Sequence, residues 1–213
     1  MDQPGITDHF LHLGFERRPW LAPDEVNQRF LELSGGCHPD RFTTASEADA
    51  QSAHDRFIAL NTARQCLGET KSRLLHLLEL ETGTKPSDIQ RLPPGSMEIF
   101  MKVGQACREA DAFIASQAKI TSPMLKVAAM TEALRRMQHL RALEAEVNGR
   151  QEALLAELRG MNDAWASSSS LPPGDARVAS LPLGRIEEIY RALGYLGRWL
   201  TQVRERTLQL IPN

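Results

Sequence analysis

Strand signals are almost absent from this 213-residue chain. No run of alternating β-branched residues occurs and there are only two tyrosines. Helical periodicity is frequent instead, so the expected fold class is all-α. Charge of one sign is missing too. The 25 Lys and Arg against 27 Asp and Glu leave a formal net charge of −2, which removes the global basic field of a nucleic-acid-binding protein. No apolar run approaches the ~18 residues of a membrane span, so no membrane partner is expected. The three cysteines, Cys37, Cys66 and Cys107, are far apart and never form a CxxC. That pattern gives neither a disulfide framework nor a zinc ribbon, and they read as buried or half-buried free thiols. The opening "MDQPGITDHF" holds two aspartates and no basic residue, unlike a secretory signal or an Arg-rich transit peptide. The expectation is a cytoplasmic protein. No carboxylate pair, nucleophile with base or phosphate loop is visible, which argues against an enzyme, and no cofactor or metal site is expected.

What is present is a succession of amphipathic helices. Residues 7–15, "TDHFLHLGF", read as a short helical or turn-like piece with Phe10, Leu11 and Leu13 apolar. A helix is expected from about Pro23, because proline suits the first helical position and Asp24-Glu25 suit the first turn. Its apolar face is Val26, Phe30 and Leu33. Gly35-Gly36 are expected to end it through a left-handed cap. A longer helix follows in "ASEADAQSAHDRFIALNTARQCL", with Ala53, Phe57, Leu60 and Leu67 on one side. Two apolar faces on adjacent helices joined by a short loop imply an antiparallel hairpin, with "KSRLLHLLEL" packing across it.

Residues 81–95 contain three prolines and two glycines and read as a linker. Three helices are expected after it. One runs from Ser96 to Gln117. The next starts at Ser122-Pro123 and continues to about Trp165, with Met130, Leu134, Met137, Leu140, Val147, Leu154 and Leu158 as its seam. The last runs from Arg185 to about Leu210, with Ile186, Ile189, Leu193, Leu196, Leu200 and Val203 at bundle spacing. The Ser/Pro-rich stretch 166–184 between them reads as a mobile loop. The architecture is therefore a helical hairpin domain at 6–80, the linker, and a three-helix bundle at 96–213.

The residues that stand out are His38-Pro39-Asp40, set between the two hairpin helices. Proline fixes its own φ and biases its predecessor away from helix, so the loop is stiff. A histidine and a carboxylate held on a stiff loop suit recognition of a groove on another protein. No third group or oxyanion donor accompanies them, as an active site would require. His9, His12, His54, His76 and His139 are scattered and read as packed or exposed histidines rather than ligands. Arg135, Arg136 and Arg141 read as a solvated helix face. Met97, Phe100 and Met101 fit bundle core and binding patch equally well, and so do Tyr195 and Trp199 beside the last seam.

"HPD" between an amphipathic helix and a longer one resembles the J domain of DnaJ-type co-chaperones. More narrowly, the chain resembles the HscB family, J-domain co-chaperones of iron–sulfur cluster assembly. "DHFLHLGF" looks like the family's opening aromatic-Leu-Gly segment, and "HPDRF" follows the triplet with a basic residue and phenylalanine. "IALNTARQCL", with Asn61, resembles the signature of the long J helix, and "RALGYLGRWL" looks like the hydrophobic last-helix segment of the bundle. The resemblance covers nearly the whole chain apart from 166–184. It implies that His38, Pro39 and Asp40, with the basic residues Arg29 and Arg41, dock on an ATP-bound chaperone of the DnaK/HscA type and stimulate its ATP hydrolysis. Asp40 would pair with an arginine of that chaperone. It further implies that an iron–sulfur cluster scaffold protein is held through Met97, Glu98, Phe100, Met101 and Tyr195, the last in place of a family phenylalanine.

Several positions depart from that family. Residues 21–36 carry Asp24, Glu25 and Glu32 against Arg29 alone, where J domains have several basic residues. Cys37 replaces the usual tyrosine. Met101 and Gly104 stand where the bundle's acidic pattern is expected. Two other readings therefore stay open: a J-domain adaptor for a different client, and a helical interaction module that no longer stimulates a chaperone.

Overall fold

The computed structural model describes residues 6–38, 46–86, 92–117, 120–168, 171 and 174–211. All regular structure among them is helical, as the periodicity requires. Contacts group the chain into two compact units. The first takes Met1–Asp88 and Ala156–Tyr190, and the second takes Ile89–Leu155 and Arg191–Asn213.

In the first unit, helix α1 (His9–Leu13) is short but capped at both ends. The Asp8 side chain accepts from the amides of Phe10 and Leu11, and Gly14 closes it at φ 68°. A side chain at 14 would be strained there, and a Cβ would lie 3.0 Å from Nη2 of Arg29. Helix α2 (Pro23–Ser34) has proline at its first position and Asp24 and Glu25 in its first turn. Val26 is fully buried, while Phe30 and Leu33 are half-buried. Helix α3 (Glu47–Gly68) starts at Ser46, whose hydroxyl accepts from the Asp49 amide at 3.2 Å. It buries Ala53, Leu60, Ala63 and Leu67. Helix α4 (Thr70–Thr82) is capped by the Glu69 carboxylate and buries Leu74, Leu77 and Leu78.

The end of α2 differs from the sequence expectation. Gly35 has φ −57° and ψ −27°, which is right-handed, and its amide donates to the Leu31 carbonyl at 3.2 Å. The next turn continues to Cys37, whose amide donates to Ser34. The chain tightens here without a left-handed cap, and the buried Cys37 thiol donates back to the Leu33 and Ser34 carbonyls at 3.9 and 3.6 Å.

Helix α5 (Met97–Gln117), α6 (Pro123–Gly160) and the later turns of α9 (Leu183–Gln209) form the second unit's core. Ile99, Val103, Ala106, Cys107 and Ala110 of α5 meet Met137, Leu140, Leu143 and Val147 of α6, and Leu196, Trp199, Leu200 and Val203 of α9. The expected seam of α9 is buried except at Leu193, which is half-buried. The expected seam of α6 needs correction at its start. Met130 and Leu134 are about half exposed, whereas Ala133 is fully buried. Leu134 lies about 100° round the helix from Ala133, and Met130 sits one turn before it on the same face. The small alanine carries the buried line.

Two further corrections concern residues 156–190. The helix expected to reach Trp165 stops at Gly160, and Asn162–Ser168 form a separate helix, α7, with Trp165 buried. Within the stretch expected as a loop, Asp175–Ser180 form helix α8. Local composition misses α8 because a distant partner fixes it. Arg177 makes a bidentate pair with Glu81 of α4, at 2.7 and 2.9 Å, and donates to the Ser168 carbonyl at 2.6 Å.

Candidate protein-docking sites

The first candidate site lies at the end of the α2–α3 hairpin. His38 is exposed, and its ring stands edge-on to Phe57 of α3 at 5.7 Å. Phe57 in turn meets Phe30 of α2 edge-on at 6.0 Å, and the guanidinium of Arg64 lies 5.0 Å over the Phe30 ring. Arg64 also donates to Asn61 and Asn27. This column of rings and cation ties the two helices together just behind the histidine. Sequence reasoning missed Arg64, although its spacing of three from Asn61 puts both on one face. Pro39, Asp40 and Arg41 lie outside the described residues.

Arg29 belongs structurally to the same unit. Its Nε donates to the Leu13 carbonyl at 3.1 Å, and Nη1 pairs with Glu32 at 3.0 Å. It crosses over Gly14 and fastens α2 to the end of α1. The basic residue expected to steer a partner is thus engaged within the fold.

The second candidate site is on the second unit. Met97, Phe100 and Met101 are exposed at 61, 44 and 56%, so they are not core. The core face of α5 is Ile99, Val103 and Ala106, and the three large side chains project off it. Phe100 lies 6.1 Å from the ring of Trp199, and half-buried Tyr195 lies 6.0 Å from the same ring. Trp199 itself is buried beneath them. Phe100 of α5 and Tyr195 of α9 therefore meet around one indole. Glu98 is exposed and pairs with Lys102 at 2.7 Å. That hydrogen bond and charge hold its carboxyl below the usual glutamate value. Lys102 also reaches Glu146 at 3.5 Å, so the acidic component of this face is partly neutralised from within.

A third group went unnoticed in the sequence. His9 of α1, Cys66 near the end of α3 and His76 of α4 bring their donor atoms within 4.8 Å of one another. The His76 ring is buried, lies 4.6 Å from the His9 ring, and its Nε2 accepts from the His9 backbone amide at 3.1 Å. Burial pushes His76 down to about 4, and the neighbouring His9 adds to the shift. Burial lowers His9 as well, helped by His12, and pushes the Cys66 thiol up to about 11. The two histidines stand 67 residues apart, so no local spacing betrays the group.

These elements define a class of protein by fold: an all-α chain with a helical hairpin unit and a helical bundle unit. No family model matches the sequence. Among solved structures, the chain is similar to the chaperone HscB from Vibrio cholerae, at 20% identity over 96% of this chain and 100% of that one, with a TM-score of 0.60. It is similar also to the human co-chaperone protein HscB, at 18% identity over 100% of this chain and 86% of that one, with a TM-score of 0.58. The chain has an HscB-like fold over nearly its whole length. No helix among the described residues is long and apolar enough to cross a membrane.

Proposed function

We propose that this chain is a non-catalytic J-type co-chaperone that couples a client, an iron–sulfur cluster scaffold protein, to an ATPase of the DnaK/HscA type. One observation carries the reading: the His38-Pro39-Asp40 triplet falls between α2 and α3 of a chain with an HscB-like fold over nearly its whole length. In this reading the 6–80 segment is the J domain. His38 and Asp40 are its contact tip, with Arg41 beside it, and the ring column behind His38 keeps the helices in register. The chaperone, not this chain, hydrolyses ATP. The scaffold protein docks on Met97, Phe100, Met101 and Tyr195, where exposed methionines and aromatics supply adaptable apolar contact. Single-turnover ATP hydrolysis by the cognate chaperone, with this protein and with Asp40→Asn, tests the first half. Stimulation that Asp40→Asn abolishes supports it, and equal rates at saturating concentration reject it. Binding of the purified scaffold protein to Phe100→Ser and Met101→Ser tests the second half.

A second reading, an adaptor for a different client, is favoured by the partly neutralised Glu98 and by Met101 at a position expected to be acidic. Affinity recovery of another protein that is lost in Phe100→Ser, with no scaffold protein bound, would select it. Engagement of Arg29 with Leu13 and Glu32 leaves the hairpin poor in steering charge. If ATP hydrolysis is not stimulated at any concentration, the chain is a helical interaction module only.

A further inference from the structure

We propose that His9, Cys66 and His76 form a binding site for a borderline-soft divalent metal ion, Zn2+ in its ordinary setting, that fastens α1, α3 and α4 together. The three donors are two imidazoles and a thiol, a set that suits zinc and disfavours magnesium or calcium. They already lie within 4.8 Å of one another. A tetrahedral ion with metal–nitrogen bonds of about 2.0–2.1 Å and a metal–sulfur bond of about 2.3 Å needs donors roughly 3.3–3.6 Å apart. The gap of about 1 Å is within the reach of side-chain rotation.

Ordinary packing explains the group poorly. Nδ1 of His9 is buried and has no hydrogen-bond partner. Orphaned buried polar atoms are uncommon and costly, and they call for a reason. The chain neighbours Phe10, Leu67 and Leu77 are fully buried apolar residues. An apolar side chain at 9 would fill the same space without that orphan nitrogen, whereas His76 also serves the His9 amide. Cys66 is half-buried, so an ion has an approach from solvent. Coordination through Nε2 of His76 exchanges the His9 amide for the ion. That amide is the first of α1, a position with no acceptor inside its own helix. As the metal–sulfur bond forms, the thiol proton passes to solvent. Three protein ligands leave a fourth position for water.

The site is independent of the proposed chaperone function, and its test does not use activity. The full chain is stripped with a chelator and titrated with Co2+. One equivalent should give a thiolate-to-cobalt charge-transfer band in the near ultraviolet and the visible bands of a tetrahedral ion. Zn2+ should displace it and raise the thermal midpoint. Cys66→Ser should remove the charge-transfer band, while Cys37→Ser and Cys107→Ser should retain it. His76→Gln, which keeps an acceptor for the His9 amide, should weaken cobalt binding by about tenfold or more. Absence of the band in the unaltered protein, or its persistence in Cys66→Ser, overturns the proposal. Because Cys66 is half-buried, that variant serves even if His76→Gln fails to fold.

Discussion

Each unit's interior is stabilised by its own kind of chemistry. All six buried polar or charged side chains among the described residues, Ser34, Arg73, His76, Glu81, Ser168 and Arg177, belong to the first unit. Arg73 is fully buried and donates to the carbonyls of Pro19 and Leu67 and to the Thr70 hydroxyl. Burial pulls it down to about 10. Asn162 clamps the backbone of Trp20, giving and accepting at 3.2 and 3.0 Å. The second unit instead has an apolar seam, with its ion pairs outside, such as Arg204–Glu144 at 2.6 Å and Arg206–Asp111 at 3.0 Å. Apolar contacts supply stability without direction, whereas bidentate pairs and carbonyl-bound guanidiniums fix geometry. The directional contacts occur in the unit that presents the short loop, and the non-directional ones underlie the broad apolar face.

That contrast can be broken from either side. The largest loss is expected for Arg177→Ala, which leaves the Glu81 carboxylate, 1% exposed, with the looser Arg17 pair at 3.6 Å in place of the bidentate one. It should destabilise the first unit by about 3–5 kcal/mol, read by chemical denaturation. Leu140→Ala, in the seam of the second unit, should cost about 2–5 kcal/mol through transfer and cavity terms. Its effect should be insensitive to salt. Gly35→Ala should stabilise the first unit by about 0.5–1 kcal/mol. The glycine is right-handed, and a Cβ meets only ordinary contact with the Leu31 carbonyl at 3.5 Å. A loss instead would mean that the turn before His38 needs glycine's freedom. Smallest of all, Arg204→Ala should cost less than about 1 kcal/mol, as exposed pairs do, and should vanish in high salt.

The same contrast explains what the sequence made legible. The seam of α9 was readable because apolar residues recur at 3 and 4 with charges between them. The faces of α2 and α3 were readable for the same reason. Helix α8 was not, because its anchor is Glu81, 96 residues away from Arg177. Met130 and Leu134 misled because the first turns of α6 carry a second apolar stripe, and the residue that packs is a small alanine. Met97, Phe100 and Met101 were ambiguous because apolar character does not distinguish a core from a docking face. The structure shows the three exposed, off the core. The convergence of His9, Cys66 and His76 is tertiary throughout and leaves no periodic trace.

The placement of the tryptophans gives each unit its own optical reporter. Trp20 lies under the guanidiniums of Arg159 and Arg73, at 4.4 and 5.7 Å, and Trp165 is buried in the same unit. Trp199 stands alone in the other, directly beneath Phe100 and Tyr195. A chain carrying Trp20→Phe and Trp165→Phe would emit from Trp199 only. Its fluorescence would then register a partner settling on the apolar face and stay blind to events at the loop.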